Sequence, residues 1–240
     1  MEVLAGEENF EVEHKEGSCL FHFDIRKVYW CSRLQSERDR VLKKFKKGEV
    51  LCDAFCGVGP LAIRAAKNGI RVIANDLNPN CYEYINLNIK KNKLNTGKTD
   101  IITTFNMDAR EFIRACVDQA KVIKDTEQNF DNKIPTDLKI NHFYMNLPKD
   151  AIEFLDVFIG LFNNTKKEIY NKESLPTVHV YGFSNARDPQ EDLYKRIANA
   201  FGIEKFDTKY VVDFHNVRDV SNNKHVFCIS FTIPPEVAYK

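Results

Sequence analysis

The sequence predicts an α/β fold: a mostly parallel sheet of seven strands with helices on both faces, an antiparallel C-terminal hairpin and a small β-hairpin in front. Three observations carry this. From Val50 onward, short apolar runs alternate repeatedly with helical segments, the signature of a parallel sheet built from βα units. The last two strand-like runs have no helix between them, which implies an antiparallel edge hairpin. The first thirty residues alternate with a period of two.

In chain order, Phe10, Val12 and His14 alternate, Lys15 to Ser18 reads as a turn, and Phe21, Phe23 and Ile25 resume the alternation. A helix follows from Ser32, its N-cap candidate, with Leu34, Val41, Leu42 and Phe45 near one face. Cations and Gly48 close it. The βα units then read as strands 50–55, 71–75, 101–105, 142–146 and 177–183, with helices 60–68, 80–92, 109–117, 151–162 and 190–201. Strands 209–214 and 225–233 finish the chain, joined by the polar stretch Val217 to Lys224. Residues 118–141 are polar and read as a long surface insertion.

Composition narrows the class. Hydrophobic residues at 43% and charged residues at 29% describe a folded globular chain rather than a disordered one. The net charge of +1 shows no bulk basic field, although Arg33, Arg38 and Lys43 to Lys47 concentrate cations locally. No apolar run approaches the roughly 20 residues that span a bilayer. Seven cysteines without a CxxC pair, and no export signal at the N-terminus, point to reduced thiols in an intracellular protein and to no metal site.

The chemistry-bearing residues sit at predicted strand ends. Asp53-Ala54-Phe55-Cys56-Gly57-Val58-Gly59-Pro60 joins the first core strand to its helix. Two glycines there let the backbone turn tightly and approach a ligand, but neither a G-x-G-x-x-G nor a P-loop ending is present, so no phosphate is implied. A plain tight turn is the alternative. Asp76, followed by Leu77 and Asn78, ends the second strand, where an acid can accept from both hydroxyls of a ribose. Asp108, followed by Ala109, ends the third strand, where an acid can meet an adenine amine. Either acid can equally be a helix cap. Asn146-Leu147-Pro148 ends the fourth strand and offers a carboxamide able to read a base edge. Enzymes that methylate exocyclic amines resemble this with Asn-Pro-Pro-aromatic. Leu147 and Lys149 depart from that pattern and speak against amino-group methylation. Upstream, Tyr29 and Trp30 offer stacking surfaces, Arg33 and Arg38 offer cations, and Glu37 is the carboxylate between them.

Taken together, Met1 to Glu7, Val28-Tyr29-Trp30, Ser32-Arg33-Leu34, Glu37-Arg38, Asp53 to Pro60, Asp76 to Pro79, Asn146 to Pro148 and Val217 to Val220 resemble the archaeal and eukaryotic tRNA (guanine-37-N1)-methyltransferase family. The resemblance covers the whole chain apart from the insertion. It implies a class I, Rossmann-like methyltransferase fold, with S-adenosyl-L-methionine as cofactor and tRNA as partner. It implies Glu37 as general base and Asn146 as a catalytic residue at the target base, and, with the family's own arginine not in this sequence, the cation role is open to Arg33 or Arg38. Tyr29, Arg38 and Pro148 would contact the substrate. Asp53, Phe55, Gly57, Gly59, Asp76, Leu77, Asn78, Asp108, Ala109 and Asn146 would hold the cofactor.

The implied division is a β-hairpin linker subdomain over 1–30 and a methyltransferase domain over 31–240, with the insertion near 118–141. In the family a catalytic arginine precedes the Val-Leu-Ala-Gly-Glu segment, and a separate N-terminal domain docks on the tRNA body. The expectation is therefore the catalytic part of a longer protein, monomeric, in the cytoplasm, with nucleus and mitochondrion open. Two alternatives stand beside methyl transfer: the wybutosine-pathway aminocarboxypropyl transferase, and an inactive fragment that binds cofactor or RNA.

Overall fold

The computed structural model describes residues 5–96, 100–118, 138–165, 169–221 and 224–240. Strands β1 (Glu11–Glu16) and β2 (Cys19–Asp24) form an antiparallel hairpin that turns at Gly17, whose φ is +59°. A 3-10 turn (Ser32–Leu34) leads into α1 (Gln35–Leu42). The main sheet contains β3 (Val50–Asp53), β4 (Arg71–Asn75), β5 (Ile102–Phe105), β6 (His142–Met145), β7 (Thr177–Ser184), β8 (Val211–Ser221) and β9 (Lys224–Thr232), in the order β5-β4-β3-β6-β7-β9-β8. Strands β3 to β7 pair in parallel, and β9 lies antiparallel between β7 and the edge strand β8. Helices α2 (Ala62–Lys67), α3 (Pro79–Lys91), α4 (Ala109–Asp118), α5 (Pro189–Phe201) and α6 (Pro235–Ala238) complete the layers.

Both faces of the sheet are buried, which is why its strands read as unbroken apolar runs. Successive residues point to opposite faces. Leu51, Val72 and Ala74 pack with Val41 of α1, Ile63 of α2 and Ile85 of α3. Their neighbours Cys52 and Ile73 pack on the other side with Phe112 of α4, Leu193 and Ile197 of α5 and Val237 of α6. The N-terminal hairpin joins the first of these cores through Phe21 and Phe23. Two buried asparagines, Asn88 in α3 and Asn92 at its C-terminal cap, fix the helix's position. Asn88 accepts from the His22 amide at 2.8 Å and donates to the Val58 carbonyl at 3.1 Å. Asn92 accepts from the Leu20 amide at 3.0 Å and donates to the Leu20 carbonyl at 2.7 Å.

Three expectations need correction. Ser32 makes no side-chain cap and instead begins the 3-10 turn. The helix expected over 151–162 is only a 3-10 segment, Glu153–Phe158. Leu155, Val157 and Phe158 are its buried residues, and Leu155 and Phe158 lie three apart along with the buried N-cap Ile152, the spacing at which side chains eclipse in a 3-10 turn. The polar stretch 217–224 is not a loop, because β8 continues through it to Ser221 and β9 begins at Lys224. Register shifts between Val211 and Asp213, Asn216 and Arg218, and Asp219 and Ser221 break the period of two that would have shown a strand. Most of the expected insertion, 119–137, lies outside the described residues.

Replacing Asn88 by Ala strands the His22 amide and the Val58 carbonyl. We expect a loss of about 2–4 kcal/mol in urea unfolding, the combined scale for two buried polar groups left unmatched. A loss below about 0.5 kcal/mol would mean the hairpin is held by apolar contact alone.

Candidate functional site

Because β3, β4, β5 and β6 run in parallel, their carboxyl ends emerge along one edge, where open α/β sheets bind ligands. A cavity of about 710 Å³ lies there, within the usual range for small-molecule sites of roughly 300–1,000 Å³. It is lined on one side by Asp53, Phe55, Gly57, Asp76, Leu77, Asn78, Asp108 and Ala109, and on the other by Tyr29, Asn146 and Pro148.

The acids are held by the backbone turns that follow their strands. The Asp76 carboxylate accepts from the amides of Gly57 at 2.8 Å and Asn78 at 2.9 Å. Asn78 in turn caps α3 by accepting from the Asn80 amide, with Pro79 at the first helical position. Asp108 accepts from the Arg110 amide at 2.8 Å and so begins α4. The cap role and the cavity role thus coexist. Gly57 has φ +55°, and a Cβ there would point into open space. Gly59 does not line the cavity. With φ +88°, its added Cβ would lie 2.8 Å from Ile85 Cγ1 and 3.1 Å from Ile63 Cδ1, so it serves close packing of the loop on α3.

Asp53 is fully buried, and its Oδ1 has no partner among the described residues. Burial pushes its carboxyl well above the usual carboxylate range. The Phe55 amide opposes that shift, and the nearby Asp76 adds to it. Burial also raises Asp76, against the pull of the Asn78 and Gly57 amides. A buried acid and a half-buried one at one wall make the cavity attractive to a ligand that brings a positive charge or several hydroxyl donors.

On the opposite wall, Asn146 donates to the Tyr144 hydroxyl at 2.9 Å, and the Pro148 carbonyl accepts from the Phe183 amide at 3.2 Å. Tyr29 is 72% exposed and Leu77 69% exposed, although both are large and apolar, and with Leu147 they rim the cavity. Exposed apolar groups gathered at one mouth mark a binding surface.

Three residues expected at the target base are placed differently. Arg33 is exposed on the 3-10 turn and does not line the cavity. Arg38 does line it, but its guanidinium is taken up by the buried Glu16, through Nε at 2.7 Å and a second contact from Nη2. Glu16 also receives Arg64 at 2.8 Å, so this cluster ties α1 and α2 to the hairpin.

Glu37 is buried and does not line the cavity. Adjacent helical residues diverge by about 100°, so Glu37 faces β7 and β8 while Arg38 faces the cavity. Its carboxylate accepts from Arg40 at 2.6 and 2.7 Å and from the Tyr181 hydroxyl at 2.6 Å. Tyr181 packs edge-on against Tyr144 with ring centroids 5.4 Å apart. A chain of polar groups therefore runs from Asn146 through Tyr144 and Tyr181 to Glu37.

Sequence reasoning missed both tyrosines, and also Asn75, whose side chain bonds the Ala54 carbonyl and both backbone groups of Met107, tying three strand ends together. Asn75 sits directly before Asp76, and Tyr144 two positions before Asn146; those offsets were the available signal. Among the described residues no cluster of His, Cys, Asp and Glu is arranged to hold a metal ion, and no helix is long and apolar enough to cross a membrane.

A family model described as the TRM5/TYW2 methyltransferase domain matches residues 12–138. The chain is 40% identical over 265 residues to a tRNA (guanine(37)-N(1))-methyltransferase of Batrachochytrium dendrobatidis, covering all of this chain and 54% of that protein. It is 40% identical over 258 residues to the Schizosaccharomyces pombe protein of the same name, covering 57% of it. The chain thus spans somewhat over half the length of these curated relatives. Among solved structures, Pyrococcus abyssi Trm5b superposes with a TM-score of 0.69 at 30% identity, over 96% of this chain and 58% of that one. Methanocaldococcus jannaschii Trm5 in complex with adenosine gives 0.66 at 27% identity, over 100% and 58%.

The buried acid at the cavity wall has a thermodynamic signature. A carboxyl whose pKa is raised by folding is easier to protonate in the folded than in the unfolded chain. Its ionisation therefore costs stability as pH rises above about 4, the unfolded value. Asp53→Asn keeps an acceptor for the Phe55 amide and removes that cost. The variant is expected to show a higher urea midpoint than wild type at pH 7.5, with the gap narrowing as pH falls towards 4.5. A gap constant with pH would contradict the assignment.

Proposed function

The chain belongs to the TRM5/TYW2 methyltransferase domain family, and on that premise we propose that it transfers a methyl group from S-adenosylmethionine to N1 of guanine 37 in tRNA. The observation that carries this reading is the composition of the cavity at the sheet edge, which joins the acids of three strand ends on one wall to Asn146, Pro148 and Tyr29 on the other. The names of its curated relatives support the same reaction.

The cavity suits the proposed cofactor. The orphaned Oδ1 of the buried Asp53 lacks a donor, which the methionine ammonium would supply. The open space over Gly57 leaves room that a side chain would fill. Asp76 would accept from the ribose hydroxyls, and Leu77, Ala109 and Asp108 would border the adenine. When bound, the cofactor supplies an electrophilic methyl on a sulfonium.

The rest of the reaction falls to the chain's own residues. Guanine N1 carries a proton at neutral pH, so a base must remove it as the methyl arrives. The base must also leave its stack to enter the cavity, where Tyr29 offers a ring face and Asn146 a carboxamide. Glu37 is the proposed proton acceptor. Its carboxylate accepts from the Tyr181 hydroxyl, and Tyr181 packs on the cavity-lining Tyr144, so the proton would reach it by way of these phenols, each hydroxyl taking one proton and passing on its own. Burial pushes both phenols well up, which keeps each of them neutral before and after transfer.

Two variants separate binding from chemistry. Asp76→Ala is expected to weaken cofactor binding at least about tenfold in calorimetry, the scale of a lost charge-assisted hydrogen bond. Glu37→Ala is expected to keep cofactor affinity near wild type and to slow single-turnover methylation of tRNA at least about 10²-fold. Equal rates would remove Glu37 from the reaction, and unchanged cofactor affinity would remove Asp76 from the site.

A further inference from the structure

Three cations line the cavity: Arg38, Lys149 and Arg218. Arg38 is occupied by Glu16. Lys149 is exposed on the turn after Asn146. Arg218 differs from both. It is half-buried, its charge is near enough to the Tyr29 hydroxyl to act against the rise that burial causes there, and its Nε is buried with no hydrogen-bond partner among the described residues. A buried N–H without an acceptor is unfavourable unless a ligand supplies one.

The strand register shows what such a ligand would meet. Arg218 of β8 is opposite Val226 of β9, and Val226 is opposite Phe183 of β7. Directly opposed residues present their side chains on the same face, and all three line the cavity. Phe183 adjoins Pro148 through their backbone hydrogen bond. An apolar floor thus runs from the Asn146–Pro148 turn of β6 to the Arg218 guanidinium. It crosses three strand spacings, about 14 Å between backbones.

We propose that Arg218 is a substrate-contact residue, resting on the methyl-transfer reading above. It donates from Nε and a terminal nitrogen to an acceptor of the unstacked target nucleotide, across the cavity from Asn146 and beside Tyr29. Two acceptors of that nucleotide share this chemistry. One is the O6/N7 edge of guanine, which a guanidinium reads in bidentate fashion, and the other is the adjoining phosphate.

The test uses the full 240-residue chain, a tRNA with guanine at position 37, single-turnover methylation, and calorimetry of the cofactor. Arg218→Ala is expected to slow methylation at least about tenfold, the lower end for one bidentate contact, with cofactor affinity and thermal midpoint near wild type. A tRNA carrying 7-deazaguanine at that position should then slow wild type but not further slow the variant if the base edge is the partner, and Arg218→Lys should fail to rescue. A methylphosphonate 5′ of the same nucleotide should behave so instead if the phosphate is the partner, with Arg218→Lys largely rescuing. Wild-type rates for Arg218→Ala would overturn the proposal. So would equal sensitivity of wild type and variant to both modified tRNAs. Should wild type transfer no methyl group, the methyl-transfer reading fails by itself. The contact is then judged by fluorescence anisotropy with the same tRNA: it requires Arg218→Ala to weaken binding, and equal affinity overturns it.

Discussion

Five strands running the same way must end at the same edge, and that constraint places every polar group of the cavity. Asp53, Asp76, Asp108 and Asn146 come from four separate stretches of chain, yet each follows the last residues of a parallel strand. The Asn75 side chain reinforces the arrangement by bonding backbone groups beyond β3 and β5. Apolar side chains fill both faces behind this edge, so the ligand-facing groups rest on a packed support.

The same edge carries a cost in stability. Asp53 is a buried carboxyl and Asp76 a half-buried one, and burial disfavours the ionised form of each. A folded chain holds such groups against its own stability when a ligand can compensate, and an orphaned acceptor facing a cavity shows where that ligand belongs. The opposite wall follows a different logic. Glu37 is satisfied by the Arg40 guanidinium and the Tyr181 hydroxyl, so the carboxylate stays buried without exposing its charge to the cavity. Tyr29 and Leu77 remain exposed, a loss of apolar burial that a stacked base and an adenine would recover.

Much of this was legible in the sequence, for physical reasons. Strands such as Val50–Asp53 and Arg71–Asn75 declared themselves because burial on both faces demands an unbroken apolar run. The three acids and Asn146 were legible because strand–turn–helix order fixes which residues reach the edge. Three kinds of information were hidden. Glu37 and Arg38 are neighbours in sequence, and only the packing of α1 shows that one faces the cavity and the other faces β7. Gly57 and Gly59 look alike in the motif, but Gly59 is required by Ile85 and Ile63 rather than by a ligand. Arg218 lay in a stretch that read as a polar loop, because bulges in β8 scramble the alternation that marks a strand.

The central claim is that the acid wall holds a methyl donor while the Asn146 wall holds guanine 37 with N1 towards it. Mass analysis of nucleosides from tRNA incubated with this chain and S-adenosylmethionine tests it most directly. The account predicts a gain of a single methyl group, located at N1 of guanine 37 and absent when that guanine is replaced. An aminocarboxypropyl adduct, a methyl group elsewhere on the base, or unmodified tRNA beside a chain saturated with cofactor would contradict it.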